Sequence, residues 1–213
     1  MGNKEDVIAK IRQAFRGNES PGDPYLQPYP AGYDLSDEIK AFKGILRWED
    51  ASSSLLDENP DAISFFSETG FRLFLPAYLI ADLNNELTCV EPQFHLVYGF
   101  SDRFVTLPIA GVDTEKLIGK SEFVNPIQYG AMTWFDRFRF RLSVFPREEA
   151  QAIVAYLECK KSLDDSYALV VEEIDAALDL FWHDRAQNAP LKSNLKSHIE
   201  QQQSYVNGLL YKK

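Results

Sequence analysis

Apolar residues recur at intervals of three and four along much of the chain. Val7, Ile8, Ile11 and Phe15 have charged residues between them and predict an amphipathic helix near residues 4–16, with Gly17 as its stop. Ser36 is a credible N-cap ahead of Asp37 and Glu38, and Leu35, Ile39, Phe42 and Leu46 mark the apolar side of a second helical stretch. Ser52–Ser54 break or re-cap the chain, and Pro60 opens a short turn into Ile63, Phe65 and Phe66. The strongest helical signal is FFSETGFRLFLPAYLIADL, from Phe65 to Leu83. Ser67 is its cap, and Phe71, Phe74, Leu75, Tyr78 and Leu79 form one face. Pro76 predicts a kink or a restart there, because it has no N–H to donate and its ring crowds the carbonyl of Arg72.

The pattern then changes. FHLVYGF and RFVTLPI, from Phe94 to Ile109, are rich in aromatic and β-branched residues and suggest a short hairpin about GFSD; residues 111–133 read as irregular. In FDRFRFRLSVF, Phe138, Phe140, Leu142 and Val144 alternate with Arg139, Arg141 and Ser143, which is the period of a strand. Helical spacing returns after Pro146, with Ala150, Ile153, Val154 and Leu157. It continues with Leu169, Val170, Ile174, Leu178, Phe181 and Trp182, and then with a last helix from Pro190 through Leu191, Leu195, Ile199, Val206, Leu209 and Leu210. The fold class that follows is mainly α: a single globular domain over 1–213 with a small antiparallel strand element, α+β being the alternative. The core should include Phe65, Phe71, Phe74, Leu75, Tyr78, Leu79, Phe138, Phe140, Ile153, Leu157, Ile174, Leu178 and Trp182.

Two segments stand outside these helices. Residues 17–33 carry Pro21, Pro24, Pro28 and Pro30 and form a proline-rich strap, packed on its own domain by Tyr25, Tyr29 and Tyr33 in preference to binding a partner. Residues 189–213 form a C-terminal helix docked on the body. Self-pairing is the less favoured reading, because Gln202 and Gln203 interrupt the apolar seam; a monomer or weak homodimer is expected.

The formal net charge of -10 disfavours nucleic acid and anionic membrane surfaces as partners. The longest uncharged part of the Phe65–Leu83 stretch is nine residues, Leu73–Ala81, where about 20 are needed to span a bilayer. Cys89 and Cys159 make neither a C-x-x-C pair nor a disulfide framework, and the N-terminal stretch has no apolar signal region, so a cytoplasmic setting is expected.

Few residues point to chemistry. There is no nucleophile elbow, phosphate-binding loop or dinucleotide fingerprint, and His95, His183 and His198 form no close-spaced pair. A Cys89 or Cys159 nucleophile would need one of these histidines beside it in space. No cofactor is expected. Arg72, Arg139 and Arg141 are the candidate anion-ligand residues, although an arginine such as Arg72 more often pairs with an acid of its own fold. Glu172, Asp175, Asp179 and His183 fall on one helical stripe, and Asp179 with His183 is the candidate metal pair. That stripe lies opposite the apolar side, so a solvated face is preferred. Residues 148–185 hold ten acids against three bases. This surplus suggests a docking face at Glu172, Asp175 and Asp179 for a basic protein, such as a toxin to be neutralised. The rival is an enzyme pocket using Arg72, Asp179 and His183.

FFSETGFRLFLPAYL resembles the signature of a family of small bacterial proteins of unknown function, in which a Phe-Arg and a Leu-Pro-Ala share one helix (here Phe71-Arg72 and Leu75-Pro76-Ala77). RFRLSVFPREEAQAIVAYLE and AALDLFW resemble that family's second and third blocks. The blocks span most of residues 60–182 and leave the strap and the tail outside. The resemblance implies a fold and a bacterial setting, with no activity to carry over.

Overall fold

The computed structural model describes residues 3–28, 37–109, 112–123, 132–163, 168–193 and 195–200. In chain order they form α1 (Lys4–Ala14), α2 (Ser53–Glu58), α3 (Ala62–Phe65), α4 (Glu68–Leu83), α5 (Phe94–Val97), β1 (Asp102–Ile109), β2 (Val112–Gly119), α6 (Trp134–Leu142), α7 (Arg147–Leu163), α8 (Ala168–Ala177) and α9 (His183–Asn188). A π-helical turn, Leu178–Trp182, joins α8 to α9. The architecture is mainly α with one two-stranded antiparallel sheet.

The centre is α4. Thirteen of its sixteen residues are buried, as expected of a helix that is apolar nearly all round. Ser67 caps it, its hydroxyl accepting from the Gly70 amide at 3.0 Å. The helix continues through Pro76, so burial on every side outweighs the lost backbone bond. Around α4 lie α1, α2 and the turn of Trp48, and α1 in turn packs on α7. The indole of Trp182 is fully buried and its Nε1–H donates to the Leu96 carbonyl at 2.9 Å, tying the π-helical turn to α5. Of the expected core, Phe65 and Phe140 are exposed and the remainder is buried.

The described part of the strap, up to residue 28, lies along the start of α4. Ser67 N–H donates to the Leu26 carbonyl at 2.8 Å, and the Ser67 and Thr69 hydroxyls donate to the Tyr25 carbonyl. The approach is close enough to require glycine: a Cβ on Gly70 would stand 2.6 Å from the Leu26 oxygen. Tyr29, Tyr33 and Ser36 lie outside the described residues.

Four expectations need correction. The apolar spacing after Ser36 yields only a 3₁₀ turn, Lys40–Phe42, closed by Gly44 at φ +78; Ile39 and Phe42 are buried but Leu46 is exposed. The hairpin joins β1 to residues 112–119, expected to be irregular, in the register Asp102↔Gly119 to Ile109↔Val112, while Phe94–Val97 are helical. The Phe-Arg segment is a helix, α6, and not a strand. Its start is fixed by a capping box, with the Thr133 hydroxyl accepting from Asp136 N–H at 3.2 Å and the Asp136 carboxylate accepting from Thr133 N–H at 3.1 Å. Finally, residues 189–193 are not helical, and the last described helical residues are 195–200. His198 is buried there, Leu191 is exposed, and Val206, Leu209 and Leu210 lie outside the described residues.

Candidate functional site

The acidic stretch is built on α7 and on the continuous α8–π–α9 segment, whose apolar sides pack on each other and on the core. What distinguishes this surface is the way its bases are held. Arg185 Nε donates to the Phe145 carbonyl at 2.9 Å and its Nη2 to the Ser143 carbonyl. Arg147 Nε donates to the Ala189 carbonyl at 3.2 Å. Lys160 reaches Asp82 on α4 at 3.2 Å, and Lys161 reaches Asp175 at 2.5 Å. Two arginines thus cap carbonyl groups, and both lysines are committed to carboxylates.

The acids of the same elements are spent differently. Glu149 is buried in a pair with Arg72, and Glu173 meets Arg103 of β1 at 3.6 Å. Glu148, Glu158, Glu172, Asp179 and Asp184 are exposed and form no ion pair among the described residues. Lys161 marks where several acids converge. The hydrogen bond it donates to Asp175 raises its pKa, and the charges of Asp175, Glu158 and Asp179 raise it further. Glu158 of α7 therefore shares a neighbourhood with Asp175 and Asp179, although linear spacing placed only the latter two together.

The other candidate residues have different partners. Arg72 donates through Nε to Glu149 Oε2 at 2.8 Å, through Nη2 to Glu149 Oε1 at 2.5 Å, and to Asn18 Oδ1 at 3.0 Å. No hydrogen bond or ion pair among the described residues joins it to Asp179 or His183, both of which are exposed. Among the described residues no group of three or more His, Cys, Asp or Glu is placed to hold a metal. Arg139 is exposed, 5.4 Å over the Phe135 ring, and borders a groove of about 350 Å³ with Asp136, Phe140, Asp184 and Arg185. Arg141 turns inward, 4.7 Å over the Phe71 ring. The helical pitch of α6 thus separates the two arginines that a strand would have put on one face.

Cys89 and His95 line one open cleft of about 340 Å³. The thiol lies 3.6 Å from the Thr88 hydroxyl, and no hydrogen bond among the described residues joins it to the imidazole. Glu149 and Asn18, the partners of Arg72, were missed by sequence reasoning. They lie 77 and 54 residues from it, and no local spacing signals such a pair.

Residues 3–91 match the model of a family of unknown function, DUF6714. The match takes in the Phe-Arg and Leu-Pro-Ala helix and the strap, which the resemblance had left outside; the other two blocks lie beyond it. No curated protein and no solved structure matches the chain. No helix of the described residues is long and apolar enough to cross a membrane.

Proposed function

We propose that this is a non-catalytic interaction protein, acting in a bacterial cytoplasm, whose acidic helical face docks a basic protein partner; a neutraliser of a basic toxin or nuclease is one form of this activity. Glu172, Asp175 and Asp179 are the partner-binding residues, with Glu158 beside them. One observation carries the reading. Every Lys and Arg of α7, α8 and α9 is engaged by a carbonyl or a carboxylate, while five acids of the same elements are exposed and form no ion pair among the described residues. An ordinary solubilising surface mixes both signs. A surface with its cations withdrawn presents one sign, which steers an oppositely charged protein into register and speeds its encounter.

The test is affinity capture with the purified chain, followed by calorimetric titration of the identified partner at low and high salt. The partner should be basic. Its affinity should fall about tenfold or more with added salt, and again with the triple reversal Glu172→Lys, Asp175→Lys, Asp179→Lys. Binding insensitive to both changes removes the proposal.

A further inference from the structure

The acidic helical face does not use the hairpin of β1 and β2. The base of this hairpin is tied to the body: Arg103 meets Glu173 of α8 at 3.6 Å, and the Asp102 carboxylate accepts from Ser121 N–H at 2.9 Å. Among the described residues no backbone hydrogen bond joins residues 104–117 to another element. Val112–Leu117 are exposed at six successive positions, and Phe104, opposite Leu117, is 71% exposed. A two-stranded hairpin is marginally stable by itself, and further strands or a packed face are what stabilise it.

The register identifies the free backbone groups. In an antiparallel pair, hydrogen-bonded and non-bonded residue pairs alternate. Lys120 N–H donates to the Ser101 carbonyl at 2.9 Å, one step before Asp102↔Gly119. The bonded pairs are therefore Arg103↔Ile118, Val105↔Lys116 and Leu107↔Thr114. The residues between them turn their backbone groups outward: Phe104, Thr106 and Pro108 along β1, and Asp113, Glu115 and Leu117 along β2. The two edges differ. Pro108 has no N–H and blunts the β1 edge against further pairing. β2 has no proline, and its three outward N–H groups form a template for another strand.

We propose that the β2 edge binds an extended segment of a basic protein by strand addition. The side chains of Asp113, Glu115 and Leu117 share one face of the hairpin with Phe104, and alternate residues of an added strand stand opposite them. Two carboxylates and a leucine match a strand that reads, from its N-terminus, apolar-x-basic-x-basic and runs antiparallel to β2. Lys116 is on the other face, engaged by Glu122 at 2.7 Å, and leaves these carboxylates to the added strand. Charge also disfavours a second copy of this chain. Two β2 edges related by a two-fold axis centred at 113, 114, 115 or 116 oppose Asp113 to Asp113, Asp113 to Glu115, Glu115 to Glu115 or Lys116 to Lys116. Like charges directly opposite are destabilising. The inference does not rest on Glu172, Asp175 and Asp179 as a docking face.

The test follows amide hydrogen exchange of the whole chain with a synthetic peptide, Thr-Leu-Thr-Lys-Val-Arg-Val. Saturating peptide should slow exchange at Asp113, Glu115 and Leu117 by about tenfold or more. The same peptide N-methylated at its Leu, Lys and Arg should leave those rates unchanged, because its donors to β2 are gone. The double reversal Asp113→Lys, Glu115→Lys should weaken peptide binding about tenfold. The triple reversal Glu172→Lys, Asp175→Lys, Asp179→Lys should keep the three amides protected at saturation. Amides unmoved by the peptide, or slowed equally by its N-methylated form, overturn the proposal. Slowing lost only in the triple reversal overturns it too and assigns the peptide to the acidic helical face. Protection of the same amides that rises with protein concentration and needs no peptide assigns the edge to a second copy, which also overturns it.

Discussion

A buried carboxylate, Glu149, and a half-buried imidazole, His95, show how single residues set the stability of this fold. Glu149 is almost fully buried, and burial pushes its carboxyl pKa up while Arg72 and Asn18 pull it back toward ionisation. Removing one partner leaves the other charge stranded, and that loss exceeds what the pair contributes as a pair. Glu149→Ala should therefore lower unfolding stability by about 3–5 kcal/mol in urea, while the double change Arg72→Met, Glu149→Leu should cost much less. His95 acts through pH. Its pKa is about 4 in the fold against 6.5 for an unperturbed histidine. Between those values the unfolded chain takes up a proton that the native chain does not, so the stability it contributes is present above pH 6.5 and is lost as pH falls toward 4. The loss should reach about 3 kcal/mol. The carboxylates titrate in the same window, so the readout is the difference between wild type and His95→Gln, whose stability curve should be flatter there.

At the scale of elements, packing and capping decided what spacing left open. In α6, alternation and helical pitch agree at Phe138 and Leu142, because four residues is an even number; both positions are buried either way. Phe140 separates the two readings, and it is 37% exposed, as a helix requires. The deciding signal was local and legible: Thr133, three residues before Asp136, opens a capping box, and it outweighs a run of alternating arginines. The long helices α1, α4 and α7 were legible because each carries several turns of consistent apolar spacing. Short turns such as Lys40–Phe42 were not, since one buried face can be met by many backbone paths. The strap and α4 yield a prediction at this scale. At Gly70 the neighbouring strap atoms are all Leu26 backbone, so a Cβ at position 70 has no flexible neighbour to displace. Gly70→Ala should cost about 1–3 kcal/mol. It should also speed hydrogen exchange at the Ser67 amide, which the Leu26 carbonyl now protects; an unchanged Ser67 rate would show that the strap is not held by this crossing.

For the molecule as a whole, the governing quantity is the formal charge of -10. The surplus of acid in residues 148–185 is plain from composition, and that part of the candidate site was legible in the order of residues alone. Which acids remain available was not, because that depends on where Lys160, Lys161, Arg147 and Arg185 find their acceptors, in elements distant along the chain. Lys160 on Asp82 and Arg103 on Glu173 are both contacts between elements. Two opposing effects follow from this arrangement. Added salt weakens the half-exposed pairs, such as Lys161 with Asp175, and so destabilises the fold. It also screens the mutual repulsion of Glu148, Glu158, Glu172, Asp179 and Asp184, and so stabilises it. The pairs most important to the fold, Arg72 with Glu149 and Lys160 with Asp82, are largely shielded from solvent and respond least to salt. Repulsion should therefore dominate, and the thermal midpoint of the wild type should rise as sodium chloride is added. Replacing Glu158, Glu172 and Asp179 by glutamine should leave the midpoint at low salt unchanged or higher and flatten its salt dependence. The same replacements should abolish partner binding, which separates a surface kept for recognition from one kept for stability. If salt instead lowers the wild-type midpoint, the exposed acids belong to pairing networks that hold the fold, and the acidic face loses its claim to be free for a partner.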